Sequence, residues 1–395
     1  MENNAKKVRL GILGLGNMGA SHAKKLVEGR CPEIEVTAVC DVKSDRLDWA
    51  KEALGEGVAL FHDGDTMMDS GLIDALMVAV PHYDHPTYAI KAMKKGLHVL
   101  IEKPAGVYTN QVLEMNKVAD ECDVVFAIMM NQRTNALYRK MREIVKSGEL
   151  GAIRRTSWII TNWYRPQAYY DSGDWRATWS GEGGGVLLNQ CPHNLDLWQW
   201  ICGMPAKISA HLHFGKWHDI EVEDDVTAYV EYPNGATGTF ITTTGDVPGT
   251  NRFEITCEKG KIIADASDKE ESLIMWKSEI GEPEFSKTNT APFGKPIFEK
   301  IEVETDGENP QHMGVFRAFA AHILRGEPLI ADGREGINGL TISNAMHLSA
   351  WTGKEIDVAT FDHELYEAEL MKRVATSRRK TTVSSAVAAD MDNTF

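Results

Sequence analysis

The chain has 395 residues, of which 43% are hydrophobic and 25% charged, the composition of a globular protein with length for two cores rather than one. Its formal net charge of −15 speaks against a nucleic-acid or anionic-membrane partner, since both call for concentrated Lys and Arg. Six cysteines (Cys31, Cys40, Cys122, Cys191, Cys202, Cys257) lie dispersed without a CxxC pair, and the N-terminal apolar run is too short for a signal peptide or a membrane span, so a reduced, cytoplasmic protein is expected.

The first third alternates short apolar runs with amphipathic stretches. Val8–Leu13, Ile34–Cys40, Ala75–Val80, Leu97–Ile101 and Val124–Met130 read as strands apolar on both faces. Helical patterns fall between them near Gly19–Glu28, Ser44–Leu54, Pro86–Lys95 and Asn110–Asp120. Such alternation predicts a doubly wound α/β domain with a parallel sheet covered on both sides, over residues 1–130. From 131 the character changes. A helix is predicted at Ala136–Ser147, an aromatic-rich stretch runs from Trp158 to Trp179, and a Gly-rich turn precedes a helix at Pro192–Ile201. From Ala206 to about Ile263 the pattern is strand-like, with Val226–Tyr232 and Ala236–Thr243 joined by Pro233-Asn234-Gly235, a strong hairpin signal. This predicts an α+β domain with a large, mostly antiparallel open sheet over 131–358, including helices near Gly314–Leu324 and Gly336–Thr352. A tail over 359–395 carries a charged helix, His363–Arg373, and a basic end at Arg378-Arg379-Lys380 that reads as a solvated terminus.

The apolar strand Val8–Leu13 runs into Gly14-Leu-Gly16-Asn17-Met18-Gly19, a G-x-G-x-x-G that closes a strand and opens a helix. In that context Gly14 permits a tight turn, Gly16 admits a pyrophosphate and Gly19 lets helix and strand pack closely, while backbone N–H groups around Asn17 and Met18 hold the phosphates. Asp41 ends the next strand at the spacing of a carboxylate that hydrogen-bonds the adenosine ribose, which favours NAD over NADP. Lys43 and Arg46 follow closely and leave NADP open.

Three further motifs resemble those of the Gfo/Idh/MocA oxidoreductases, typified by glucose–fructose oxidoreductase and inositol dehydrogenase. They are Val80-Pro81-His82-Tyr83-Asp84-His85, Glu102-Lys103-Pro104, and Gly183-Gly184-Gly185 followed by Asn189-Gln-Cys-Pro-His193-Asn-Leu-Asp196. The resemblance covers about residues 6–358. It implies a Rossmann domain binding NAD, with Pro81, His82, His85, Glu102 and Lys103 at the cofactor, and a second domain binding a sugar. Lys103 and His193 are the implied proton-handling residues. Val80 and His82 replace the family's Thr and Asn, and Asn189 and Cys191 replace its Asp and Gly, so the usual Lys–Asp–His arrangement is altered. Asp196, one helical turn from His193, is either a support or a site residue.

Alcohol oxidation releases one proton, and a His with an ordinary value near ~6.5 can take it as general base at neutral pH. Lys103 would hold the reacting oxygen, and Asn189 would orient the substrate. Trp163-Tyr164-Arg165, Tyr169-Tyr170 and Trp175-Arg176 combine flat rings with donors, which suits a carbohydrate or a packed loop; the resemblance places this stretch beside the substrate. Arg133, Tyr164, Arg165, Trp175, Arg176 and Asn189 are therefore the expected substrate contacts. No metal is expected: His82 with His85, and His211 with His213, lack further ligands. The expected function is an NAD-dependent dehydrogenase acting on a sugar or glycoside hydroxyl, with C3 of a glucose-type ring as the specific position, in a homodimer or tetramer. An inositol or anhydrosugar dehydrogenase, an NAD-recycling glycosidase and a non-catalytic NAD-binding sensor remain as alternatives.

Overall fold

The computed structural model describes residues 6–268 and 270–378; the end of the expected tail, with Arg379 and Lys380, lies outside the described residues. Strands β1 (Val8–Leu13), β2 (Ile34–Cys40), β3 (Ala59–Phe61), β4 (Ala75–Val78), β5 (His98–Ile101) and β6 (Phe126–Ile128) form one sheet in the order β3-β2-β1-β4-β5-β6. Every pairing in it is parallel. Successive residues of β4 face opposite sides: Leu76 and Val78 enter one apolar cluster, Ala75 and Met77 the other. Both faces of the sheet are thus covered, which is why its strands read as unbroken apolar runs. The three-residue β3 and the short helix Gly64–Asp69 are too brief to show a period, and the sequence reading passes over both.

The second sheet holds β7 (Ile153–Ile160), β8 (Lys207–Phe214), β9 (Glu223–Glu231), β10 (Thr237–Thr243), β11 (Asn251–Cys257), β12 (Gly260–Asp265), β13 (Ser272–Lys277), β14 (Glu299–Glu302) and β15 (Ile356–Asp357). Their order is β14-β13-β12-β11-β7-β10-β9-β8-β15, antiparallel except where β7 runs parallel to β10. The predicted β9–β10 hairpin pairs Glu231 with Thr237 around Gly235, whose φ of +82° an L side chain rarely adopts. The sheet extends past Ile263 through β13 and β14, further than the sequence pattern reaches. Side chains of β7 alternate, with Thr156, Trp158 and Ile160 buried and Arg155 and Ile159 exposed. The buried face packs on the helix Gly336–Thr352 through β8 and on the helix Pro192–Cys202 through Trp198, which meets Thr156 and Phe240, and Trp158 stacks on Phe253 at 4.1 Å.

One helix crosses the expected division of the chain. Gln311–Arg325 sends Val315, Phe316 and Phe319 into the cluster of Leu10, Ile12 and Met129, against the first sheet. The tail helix His363–Ala375 buries Tyr366 and Leu370.

Candidate active site

The glycine loop leaves the C-terminal end of β1. Gly14 has a φ of +94°, and a Cβ on Gly19 would stand 1.9 Å from Gly14 O, so helix and strand touch through hydrogen alone. A Cβ on Gly16 would meet nothing within 4 Å. Gly16 is the N-cap of the helix Asn17–Val27, and the first-turn N–H groups of Asn17, Met18 and Gly19 lack intrahelical acceptors. Open space over unpaired donors and a helix N-terminus is a cradle for a dinucleotide pyrophosphate, so the residues fit the cofactor. Asp41 closes the loop from β2: its Oδ2 accepts from Leu15 N at 2.7 Å and its Oδ1 from Lys43 N at 2.9 Å. Each oxygen keeps a further lone pair for a ribose hydroxyl.

Lys103 follows β5 and is half-buried. Its Nζ donates to Asn189 O at 2.9 Å, which ties the first domain to the Gly-rich segment of the second. Burial lowers the Lys103 pKa; Glu102 and Glu182 oppose the shift, and Arg165 and Arg176 add to it. Glu102 accepts from Lys103 N at 3.1 Å through Oε2 and meets His22 Nε2 at 2.6 Å through Oε1. Burial favours its protonated form, but the His22 contact outweighs this and the pKa falls to about 2.

His193 sits at the start of the helix Pro192–Cys202, where Pro192 suits the first turn. The helix is buried nearly all round, and His193 is 2% exposed. Burial, then Lys103 and His312, drives the His193 pKa well below 6.5, so the ring is neutral. The sequence reading took an ordinary value, which burial overrides. Asp196, one turn on, forms a bidentate pair with Arg133 at 2.8 and 2.7 Å.

A loop from Trp163 to Glu182 walls the site. Arg165 lies over the rings of Trp163 (5.6 Å) and Tyr169 (5.3 Å); Arg176 lies over Tyr169 (4.6 Å) and Trp175 (4.8 Å). Tyr169 OH accepts from Arg176 Nη1 at 2.8 Å and from Asn189 Nδ2 and Gln190 Nε2 at 3.3 Å. Trp175 is edge-on to His82 at 5.7 Å, and Tyr164 stands half-exposed at the rim. The glycine run ends against β9: Gly185 N donates to the Glu223 carboxylate at 2.9 Å, and a Cβ there would lie 2.0 Å from Glu223 O.

Lys103, Asn189, Arg165, Arg176 and Trp175 are thus linked through Asn189 and Tyr169, and His193 is near enough to Lys103 to feel its charge. Three expected contacts are redirected, each because its polar atoms are already committed. Arg133 is 3% exposed, and its guanidinium is occupied by Asp196 and by Glu335 at 2.8 Å, so it braces the His193 helix instead of meeting substrate. His85 places its two ring nitrogens 2.7 Å from Pro104 O and Val80 O, leaving none for a cofactor. Glu102 has both oxygens taken and supports Lys103 from behind. His82 Nδ1 donates to Glu182 O at 3.1 Å, so its ring joins the two domains.

Glu182 is the residue that sequence reasoning missed. It is 2% exposed; its Oε2 accepts from Ala177 N at 2.7 Å and its Oε1 from Asn189 Nδ2. Burial raises its pKa to about 6 in spite of Arg176 and these two donors. Ala177, which supplies one of them, is held at φ +53°, a strained conformation for a non-glycine residue. The available signal was an acidic residue directly abutting the three glycines. The structure also gathers His22, Glu102 and His312, whose ligand atoms lie within 4.8 Å of one another. The 2.6 Å contact of His22 with Glu102 is already a hydrogen bond and leaves no space for an ion between them.

A dinucleotide cradle at the end of a parallel sheet, with a half-buried lysine and a buried histidine beside an aromatic wall, defines a nicotinamide-dependent oxidoreductase. The chain belongs to the Gfo/Idh/MocA family. Residues 8–130 match the model of the oxidoreductase family with NAD-binding Rossmann fold, and residues 138–263 match the GFO/IDH/MocA C-terminal domain. NAD is its cofactor. The myo-inositol 2-dehydrogenase of Thermotoga maritima is 24% identical over 86% of this chain and 95% of its own length. The D-glucoside 3-dehydrogenase of Escherichia coli is 24% identical over 89% of this chain and 97% of its own. The WlbA dehydrogenase of Bordetella pertussis, solved with NADH and UDP-GlcNAcA, superposes with a TM-score of 0.75 at 27% identity, covering 89% of this chain and 98% of that one.

Proposed function

We propose that the protein oxidises a secondary hydroxyl of a sugar or glycoside, with C3 of a glucose-type ring as the reacting carbon. The observation that carries the reading is the half-buried Lys103, fixed by Asn189 O and close enough to the neutral His193 to lower its pKa, beside a wall of aromatic rings and guanidiniums. A lysine whose pKa is lowered by burial can lend its neutral amine to the departing hydroxyl proton. Neutral His193 holds the same hydroxyl by a hydrogen bond, and Asn189 keeps Lys103 in reach. The Gly14–Gly19 loop would hold the NAD, which when bound would supply the hydride acceptor. The roles are therefore exchanged relative to the sequence expectation, with Lys103 as the proton acceptor. Arg176, Arg165, Trp175 and Tyr164 orient the ring, and His82 and Pro81 would help to hold the cofactor.

The Escherichia coli relative, by its name, acts at position 3 of glucosides, which supports that carbon. The Thermotoga relative supports the second reading, an inositol dehydrogenase. An enzyme that recycles its NAD to cleave a glycoside would use the same residues. Incubation with NAD⁺ and a panel of glycosides and inositols separates these readings: a dehydrogenase forms one NADH per molecule oxidised, a recycling hydrolase forms none in net. Residues 1–130 serve as the NAD domain, 131–358 as the substrate and oligomerisation domain, and 359–395 as the tail. The uncovered outer face of the nine-stranded sheet is the surface that a second copy would cover, giving a dimer or tetramer. Six free thiols and the absence, among the described residues, of a helix able to cross a membrane agree with a cytoplasmic enzyme.

A further inference from the structure

The wall of the site carries more positive charge than its hydrogen bonds require. Arg165 and Arg176 are both half-buried and both packed on Tyr169. Among the described residues neither enters an ion pair: Arg165 Nη1 donates to Tyr164 O at 2.9 Å, and Arg176 Nη1 to Tyr169 OH at 2.8 Å. The buried Arg133 is, by contrast, fully matched by Asp196 and Glu335. Both free guanidiniums are near enough to Lys103 to help lower its pKa. The carboxylate set against Arg176 is Glu182, already held by Asn189 Nδ2 and Ala177 N, while Glu102 is bonded to His22 and to Lys103 N. Two guanidiniums packed on one ring therefore face a single carboxylate that is already hydrogen-bonded, in a chain whose net charge is −15.

A neutral sugar needs donors but no excess charge. A guanidinium held rigid on a ring, partly desolvated and without a counter-ion, is instead the arrangement that takes a carboxylate or phosphate by paired hydrogen bonds. Low local dielectric strengthens that attraction, and the excess charge draws an anion in. We propose that the substrate is an anionic sugar, whose carboxylate or phosphate is taken by Arg165 and Arg176 while Lys103 and His193 reach the hydroxyl. This rests on the dehydrogenase reading above and adds the charge of the substrate to it.

The test compares three ligands that share a glucose-type ring: methyl β-glucoside, methyl β-glucuronide and glucose 6-phosphate. Binding of each to the NADH complex is measured by calorimetry, and turnover with NAD⁺ by NADH absorbance. At least one anion is expected to bind and turn over about ten-fold better than the glucoside, with the advantage shrinking as salt shortens the Debye length. Preference for glucuronide points to a uronic acid, preference for the phosphate to a phosphorylated sugar. Arg165→Gln and Arg176→Gln should each bring the anion-to-neutral ratio towards one. If the glucoside binds as well as both anions, or if the ratio survives loss of both arginines, the inference is overturned while the dehydrogenase reading stands. If binding favours an anion but nothing reduces NAD⁺, the charge inference holds and the dehydrogenase reading fails. If none of the three binds, the inference fails.

Discussion

Replacing Glu182 by Gln should change stability with opposite signs at high and low pH. The fold raises this carboxyl from its ordinary 4.5 to about 6, with burial as the main cause, so the folded state favours the protonated form. That preference adds stability below pH 4.5 and is lost as pH rises through 6; the displacement corresponds to about 2 kcal/mol. Gln cannot become charged, so it avoids that loss above pH 6. It has only one acceptor oxygen, however, and must abandon either Ala177 N or Asn189 Nδ2, at a cost of about 1 kcal/mol. The variant should therefore be about 1 kcal/mol more stable than wild type near pH 8 and about 1 kcal/mol less stable near pH 4.5. Urea midpoints of the two proteins at both pH values, at one ionic strength, give the comparison. Activity should move as well: Glu182 raises the Lys103 pKa, so without its charge the limb of kcat/KM that reports Lys103 shifts to lower pH. A stability difference of the same sign and size at both pH values would refute the reasoning.

Other substitutions probe the remaining parts. His193→Ala and Lys103→Ala should each lower kcat by roughly 10²–10⁴-fold while leaving NADH fluorescence titrations of the cofactor site little changed for His193→Ala. Asp41→Ala should weaken NAD more than NADP, narrowing their ratio by about 1–3 kcal/mol; a wild-type preference for NADP would contradict that role. Arg133→Met leaves Asp196 buried without its partner and should destabilise the protein by about 3–5 kcal/mol in urea; if it instead raises KM without lowering stability, Arg133 does touch substrate.

What could be read from the sequence, and what could not, follows from the range of the signals. The apolar runs of β1, β2 and β4 and the hairpin at Asn234-Gly235 are local, and the structure places them where their periods put them. The cradle was legible because Gly14, Gly16 and Gly19 act on backbone only a few residues away. Long-range partnerships were not. Nothing near Arg133 announces that Asp196 and Glu335 will occupy it, and nothing near His85 announces Pro104 O and Val80 O. The proton-handling pair came from motif resemblance, but its chemistry depends on desolvation, a property of the assembled fold. Glu182 was passed over because its role needs Ala177 and Asn189 folded around it. Helix Gln311–Arg325 was assigned by its place in the chain, whereas its apolar face of Val315, Phe316 and Phe319 chose the first sheet.

The most direct measurement of the central claim follows the hydrogen itself. A glycoside deuterated at C3 is incubated with enzyme and NAD⁺, and the cofactor and sugar are examined by mass spectrometry and NMR. Hydride transfer from C3 predicts deuterated NADH in equal amount to a 3-oxo sugar, with a slower rate than for the unlabelled glycoside if the transfer limits turnover. Unlabelled NADH would contradict the carbon, and glycoside cleavage with no net NADH would contradict the dehydrogenase.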